Sequence, residues 1–293
     1  MAGIDNYTKL MLHMNGTDGG IVFTDDSASN HTVTRTNITT VTAAKKFGSA
    51  SSEQPNTTGK YLTIGNSSDF AFGSGDFTID FWMRSGYSGS GADVMSYANG
   101  TGDGSYAWKF YMAGEGGPIR FRWYSSTNTT KYFVNDATGL TNNEFHHYAV
   151  IRSGNSGYFA IDGVLGVATD LTGLSQRDVG TYIMTIGTNY SHTHANYYGF
   201  DELRVSKGIA RWTSNFTPPT SEYSEADIAG NISEEARILI IDENTWTTEY
   251  SEIHAAGPYT IPSTGGGGLK TVVALPTTAT KAPEVYKNVE PVE

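Results

Sequence analysis

Three aspartates give this chain its clearest candidate for ion chemistry. Asp25, Asp26 and Asp201 carry hard carboxylate oxygens, which suit Ca²⁺, an ion that takes about six to eight oxygen ligands. Asp25 and Asp26 open a Ser- and Asn-rich loop, and the carbonyls of Asp26 to Asn30 could complete such a shell. A plainer role fits the same residues: Asp25-Asp26-Ser27 can form an Asx-turn, and Asp201 can take backbone donors. The sequence leaves both open. His192 and His194 flank Thr193, on one face of a strand or together on a loop. Two imidazoles are too few for a structural zinc shell, and the chain has no Cys to extend it.

Catalytic patterns are thin. A retaining glycosidase needs two carboxyls about 5 Å apart, and Asp80 in Thr78-Asp80-Trp82 has no same-strand partner. There is no Cys nucleophile and no Gly-x-Ser-x-Gly elbow. The glycine-rich stretches 100–104 and 265–268 do not lead into a helix bearing Lys, so they do not read as phosphate cradles. The chain is therefore expected not to be an enzyme. Sugar binding has better material, because flat aromatic faces stack on sugar rings while Asn, Asp and backbone groups fix hydroxyls. Trp108 shares a face with Tyr106, Phe110 and Met112, and Trp123 with Ile119 and Phe121, so both tryptophans read as core. That leaves a loop set, Asn189, Tyr190, His192, His194, Tyr197 and Tyr198, as the ligand-binding candidates. His147 shares a strand face with Phe145 and Ala149 and reads as a core histidine with a hydrogen bond.

These side chains need a rigid scaffold, and the composition supplies one of β type. Of 293 residues, 34 are Gly and 18 Tyr, with many Thr, Ser and Asn. Turn formers and β formers of this kind favour an all-β protein. Without Cys, disulfides are excluded and the core must carry stability. No apolar run approaches the roughly 20 residues that span a bilayer, and the opening MAGIDNYTKLMLHMNG does not read as a secretory signal. A formal charge of −11 argues against a nucleic-acid partner. The charge is uneven: Glu222 to the end holds 12 acids and 4 bases, leaving 18 and 15 before it. This shift coincides with the Pro218-Pro219 exit, which places a boundary between a domain at 1–221 and one at 222–293.

Alternation then gives the strands. FTIDFWMR at 77–84 sets Phe77, Ile79, Phe81 and Met83 on one face and Thr78, Asp80, Trp82 and Arg84 on the other. Further strands are expected at 9–14, 61–64, 94–98, 106–112, 119–124, 131–134, 145–152, 157–161, 182–186 and 199–206. Asp162-Gly163 signals a hairpin. In the closing strand, Leu203 and Val205 are expected to face the core, with Glu202 and Arg204 opposite and the carboxylates of Asp201 and Glu202 on opposite faces. About ten strands with Gly-rich turns imply two packed antiparallel sheets. Beyond 228, ARILIID, TTEYSEI, PYTIP and LKTVVALP suggest a small second β-sandwich-like unit. The acidic tail APEVYKNVEPVE is expected to order against a partner.

Over residues 8–220 the chain resembles laminin-G-like modules of the concanavalin-A-like jelly-roll superfamily. The resemblance rests on KLMLHMNGTDGG, KFGSAS, YLTIG, GDFTIDFWMR, FHHYAVIRSGN with its IDG hairpin, and FDELRVSKGIARWTSNFTPPT, in the family's usual order. It departs at Glu53-Gln54, where the family usually has an apolar residue. The resemblance implies a jelly-roll sandwich and a structural Ca²⁺ between the early Asp-rich loop, Asp25 or Asp26, and Asp201. The opening DNYTKLMLHMNGTDGG looks like modules of bacteriophage virion proteins. It implies a capsid decoration, tail or fibre component, assembled in the host cytoplasm among other virion proteins. The alternative is an adhesin that binds host-surface glycans, with Ca²⁺ as a cofactor. No heptad repeat sets an oligomeric state, and a homo-oligomer is compatible.

Overall fold

The computed structural model describes residues 3–54, 58–86, 93–112, 119–137, 140–141, 143–178, 180–192 and 198–224, together with five backbone strands between 236 and 274. Two compact units form, Gly3–Ser224 and Glu225–Glu293. In the first, the strands in chain order are β1 (Thr8–Leu12), β2 (Val33–Thr36), β3 (Thr39–Val41), β4 (Ser51–Glu53) and β5 (Tyr61–Ile64). Next come β6 (Phe77–Ser85), β7 (Asp93–Ala98), β8 (Tyr106–Met112), β9 (Ile119–Tyr124), β10 (Thr130–Phe133) and β11 (Phe145–Ser153). The last are β12 (Ser156–Ile161), β13 (Val164–Leu165), β14 (Thr169–Asp170), β15 (Ile183–Ile186) and β16 (Tyr198–Lys207).

Fourteen of them build two seven-stranded antiparallel sheets, and β3 and β4 pair with each other apart from these. The first runs β1-β16-β6-β11-β12-β13, with β14 also on β12; the second runs β10-β9-β8-β7-β15-β5-β2. The expected two-sheet sandwich is what forms. Its core lies between inner faces set by alternation: Phe77, Ile79, Phe81, Met83, Tyr148 and Val150 from one sheet meet Met95, Tyr97, Trp108, Phe110, Phe121 and Trp123 from the other. Each such side chain contributes roughly 1.5–3 kcal/mol by leaving water. Trp108 and Trp123 are fully buried, as their strand phases predict. Asp162 and Gly163 both take positive φ, 47° and 81°, in the tight turn between β12 and β13. Gly is required at the second position, since a Cβ there would stand 1.8 Å from the Phe216 carbonyl oxygen.

The closing strand departs from simple alternation. Asp201 pairs with Trp82 but Arg204 pairs with Asp80, so β16 holds one extra residue. Glu202 sits there with φ 50°, a left-handed conformation. A bulge of this kind shifts the side-chain phase, which lets Phe200 and Leu203, three residues apart, both enter the core. The expected placement of Leu203 and Val205 inside and Arg204 outside holds. The expected opposition of Asp201 and Glu202 does not, because the bulge lies between Asp201 and Arg204.

Gln54, standing where an apolar residue is usual, is fully buried. Its Nε2 donates to the carbonyls of Lys60 and Gly187 at 2.6 and 2.5 Å, and its backbone exchanges hydrogen bonds with Tyr198. In the second unit, β17 (Ala236–Ile241), β18 (Thr248–Ile253) and β21 (Val273–Ala274) form one small sheet in the order β18-β17-β21. There β19 (Thr260–Ile261) and β20 (Lys270–Thr271) form another.

Candidate functional site

The three aspartates singled out for an ion do not form one three-ligand group. Asp25 is buried and both its oxygens accept backbone N–H groups, Oδ1 from Met11 and Ser27 at 2.9 and 3.0 Å, Oδ2 from His31 at 2.7 Å. That is the turn-making role. Asp26 is exposed. Asp201 is buried on β16, and its Oδ2 accepts the amides of Lys46 and Phe47 at 2.7 and 3.1 Å. Its Oδ1 is buried with no hydrogen-bond partner. Burial pushes this carboxyl up to about 7, with Glu202 and Glu222 adding to the rise and the two amides opposing it. A calcium shell shared by Asp25 and Asp201 does not fit this arrangement, since Asp25 is committed to its own turn.

Among the described residues, the metal-ligand types that do gather are His13, Glu202 and Glu222, whose ligand atoms lie within 4.8 Å of one another. They are tied internally: His13 Nδ1 stands 2.6 Å from Glu202 Oε1, and Tyr223 N donates to Glu202 Oε2 at 2.7 Å. Asn15 Nδ2 donates to Glu222 Oε1 at 2.5 Å. The neighbouring Glu202 carboxylate raises His13 despite its burial.

On the outward face of the first sheet the polar residues are sealed in. Asp80 and Arg204 are fully buried, and Arg204 Nε and Nη2 reach the Asp80 carboxylate at 3.0 and 3.3 Å. Tyr223 Oη donates to Asp80 Oδ2 at 2.5 Å, and its ring lies 3.7 Å from the guanidinium. Burial alone would raise Asp80, but Arg204 and then His147 hold it down at about 2. His147 is buried, as expected, but on the outer face rather than in the core between the sheets, and neither ring nitrogen makes the expected hydrogen bond. Its Nε2 is 3.6 Å from Asp80 Oδ2, and its ring meets the edges of Trp212 and Phe216. Those two rings stack on each other at 4.0 Å. The segment 209–223 is thus the cover of this face.

The outward face of the second sheet is different. Register places Thr34, Thr63, Thr185, Ser96, Lys109, Arg122 and Tyr132 in one row across six adjacent pairings. The next row holds Asp93, Tyr111 and Arg120. The guanidinium of Arg122 lies 5.0, 5.4 and 5.9 Å from the rings of Tyr132, Tyr111 and Tyr124. Lys109 Nζ lies 4.8 and 5.5 Å from Tyr106 and Tyr111, and 3.0 Å from Asp93. Tyr132 is 43 % exposed. Here cations and aromatic rings alternate within reach of solvent.

The loop candidates divide. Tyr190 packs beside Ala98, Tyr106 and Tyr124 at the end of this face. His192 stacks on Tyr61 at 3.7 Å, and burial lowers its pKa. Asn189 is buried next to them in the chain. Tyr198 is fully buried in the main core, not at a ligand surface, because β16 already starts there and regular alternation before the bulge puts it in phase with Phe200. His194 and Tyr197 lie outside the described residues. The sequence reading missed Lys109, Arg120 and Arg122, although YAWKFYM at 106–112 sets Lys109 between Trp108 and Phe110, and IRFRWY at 119–124 interleaves the arginines with the core residues Ile119, Phe121 and Trp123.

Residues 56–210 match a family described as the concanavalin A-like lectin/glucanases superfamily (Laminin_G_3), more than half of the chain. No curated protein sequence matches. Among solved structures, the binding domain of Paraclostridial Mosquitocidal Protein 1 is similar at 11% identity with a TM-score of 0.55, over 92% of this chain and 73% of that one. The botulinum neurotoxin serotype G binding domain is similar at 11% identity and a TM-score of 0.53, over 87% of this chain and 63% of that one. The serotype D ligand-binding domain, solved in complex with N-acetylneuraminic acid, gives 12% identity and 0.53, over 89% and 60%. The chain thus spans less than two thirds of the two neurotoxin domains. At these identities the likeness is one of fold.

Proposed function

We propose that this chain, which belongs to the concanavalin A-like lectin/glucanases superfamily, is a non-enzymatic carbohydrate-binding module, with the outward face of its second sheet as the binding surface. One observation carries the reading: Tyr111 and Tyr132 flank Arg122 on that face, with Tyr132 open to solvent and Tyr124 buried behind them. Tyrosine rings offer apolar area for a sugar ring and hydroxyls for its polar rim at low conformational cost. The described row from Thr34 to Tyr132 carries no carboxylate, which favours binding over hydrolysis. Asp80 lies buried on the other sheet. The neurotoxin domain bound to N-acetylneuraminic acid is a precedent for sugar recognition in a protein of similar fold.

The test is a glycan array with the full chain, with and without chelator, alongside Tyr111→Ala/Tyr132→Ala. Binding that the double variant loses supports the proposal, and no binding to any glycan overturns it. A chelator-sensitive signal would bring calcium into the site.

A second reading is compatible with the first: the sandwich is displayed on a bacteriophage particle as a decoration, tail or fibre component. The opening DNYTKLMLHMNGTDGG favours it. Mass spectrometry of purified particles tests it, and absence of the chain from them ends it.

A further inference from the structure

We propose that His13, Glu202 and Glu222 form a binding site for a first-row divalent cation of the Zn²⁺ type, with Asp201 beside them as the fourth donor. The inference is independent of the carbohydrate reading.

The donor set selects the ion. One imidazole with carboxylates from three further residues suits Zn²⁺ and its neighbours, whereas Ca²⁺ takes oxygen throughout. The ligand atoms of His13, Glu202 and Glu222 lie within 4.8 Å of one another, and the closest pair, His13 Nδ1 and Glu202 Oε1, stands at 2.6 Å. Around a tetrahedral ion with bonds of about 2.0 Å, donors stand about 3.3 Å apart. That spacing falls inside the observed range, so side-chain adjustment alone seats the ion. The three residues come from separate parts of the first unit. His13 directly follows β1, Glu202 is the left-handed residue of the β16 bulge, and Glu222 lies in the exit segment. Two are already oriented from behind, Glu202 by the Tyr223 amide and Glu222 by Asn15 Nδ2, the way outer partners fix metal ligands.

A second observation points to a ligand. Asp201 is 1 % exposed, and its Oδ1 is buried without a hydrogen-bond partner. Buried polar atoms are paired in the large majority of cases, and a carboxylate oxygen so placed calls for a cation or a proton. Its Oδ2 is held by the amides of Lys46 and Phe47. The next residue, Gly48, packs so closely on Glu222 and Asn15 that a side chain there would strike both. Asp201 is thereby set beside the cluster, and the charges of Glu202 and Glu222 act on it. The lysines of that loop are engaged elsewhere: Lys45 Nζ donates to the Ser49 carbonyl at 3.2 Å, and Lys46 Nζ lies 3.9 Å over the Trp82 ring. Three carboxylates are thus gathered with one imidazole. Glu202 is buried, while His13 and Glu222 are partly exposed, which gives an ion its way in. Bound there, it would tie β1, β16 and the exit segment to one point.

The experiment is isothermal titration of the full chain, free of any polyhistidine tag and stripped with chelator, with Zn²⁺ and with Ca²⁺, and melting temperatures read alongside. The expected result is one tight Zn²⁺ per chain, with Ca²⁺ weaker by about a hundredfold or more. Zn²⁺ at about a hundredfold excess over its Kd should raise the melting temperature by roughly 5–10 °C. His13→Gln, Glu222→Gln and Asp201→Asn should each weaken Zn²⁺ by about tenfold or more and lose most of that rise. His146→Gln, which removes an imidazole paired with Asp162, should bind as the parent does. Should His13→Gln fail to fold, Glu222→Gln, on a partly exposed residue, carries the test. No Zn²⁺ binding, Ca²⁺ binding as tight as Zn²⁺, or binding that survives the variants of the cluster overturns the proposal. Binding lost in His146→Gln and kept in Glu222→Gln also overturns it, as an ion held elsewhere on the surface.

Discussion

The two sheets share an architecture and differ in what their outward faces do with charge. On the first, Asp80 and Arg204 are removed from water, joined at two points, and closed over by Tyr223, Trp212 and Phe216. On the second, Arg122 sits among tyrosines at the surface, and Arg120 has a buried nitrogen without a partner. A buried charge is tolerated when its partner is fixed in place. A partly exposed cation set against aromatic rings stays closer to water and is held more loosely. Strong pairing therefore marks the face that holds the molecule together.

The sharpest way to break this contrast is to remove one arginine from each face. Arg204→Met leaves Asp80 as an uncompensated buried carboxylate and should cost about 3–5 kcal/mol in denaturant unfolding. Arg122→Met should cost less than about 1 kcal/mol, the scale of an exposed charged contact. Equal losses would erase the distinction. Next comes Gly163→Ala, whose added Cβ would collide with the Phe216 carbonyl and whose φ of 81° disfavours any other residue. It should loosen the cover segment and cost at least about 1–3 kcal/mol, read as increased amide exchange over residues 209–223. Tyr223→Phe keeps the ring over Arg204 but removes the hydroxyl from Asp80. It should cost about 1–2 kcal/mol and raise the acid midpoint of unfolding.

A further effect is in pH. Asp201 is pushed up to about 7 from 3.8, so the stability it contributes is fully present below pH 3.8 and is lost as pH rises through about 7. Asp80 works oppositely. Held down at about 2, it stabilises above pH 3.8 and its contribution is lost as pH falls through about 2. Asp201→Asn should therefore flatten the fall in melting temperature between about pH 5 and about pH 8. An unchanged slope would remove Asp201 from the account.

How much of this was legible depended on whether a residue's environment is set locally. The strands at 61–64, 106–112 and 119–124 have the bounds that alternation assigns, and Trp108 and Trp123 are core as Phe110 and Phe121 are. Tyr106 instead leaves the face of Trp108 at a register shift between β7 and β8 and joins Tyr124. The Asp162-Gly163 turn is local chemistry and was legible too. Three features were not. Gln54 is buried because carbonyls from residues 60 and 187 converge on it, a long-range fact. Tyr223 falls beyond the boundary expected at 221, because its partners Asp80 and Arg204 are distant in sequence. The outward arginines are written in IRFRWY, but alternation fixes only that they face away from the core, and the rings around Arg122 come from three strands.

The left-handed residue in β16 has a consequence for how this sandwich tolerates change. Upstream of Glu202 the strand keeps Tyr198 and Phe200 inside, and downstream it keeps Leu203 and Val205 inside. Excising that one residue would turn one half of the strand over relative to the other, exchanging oil for water along it. A point substitution alters a single contact, whereas this deletion would invert a whole register.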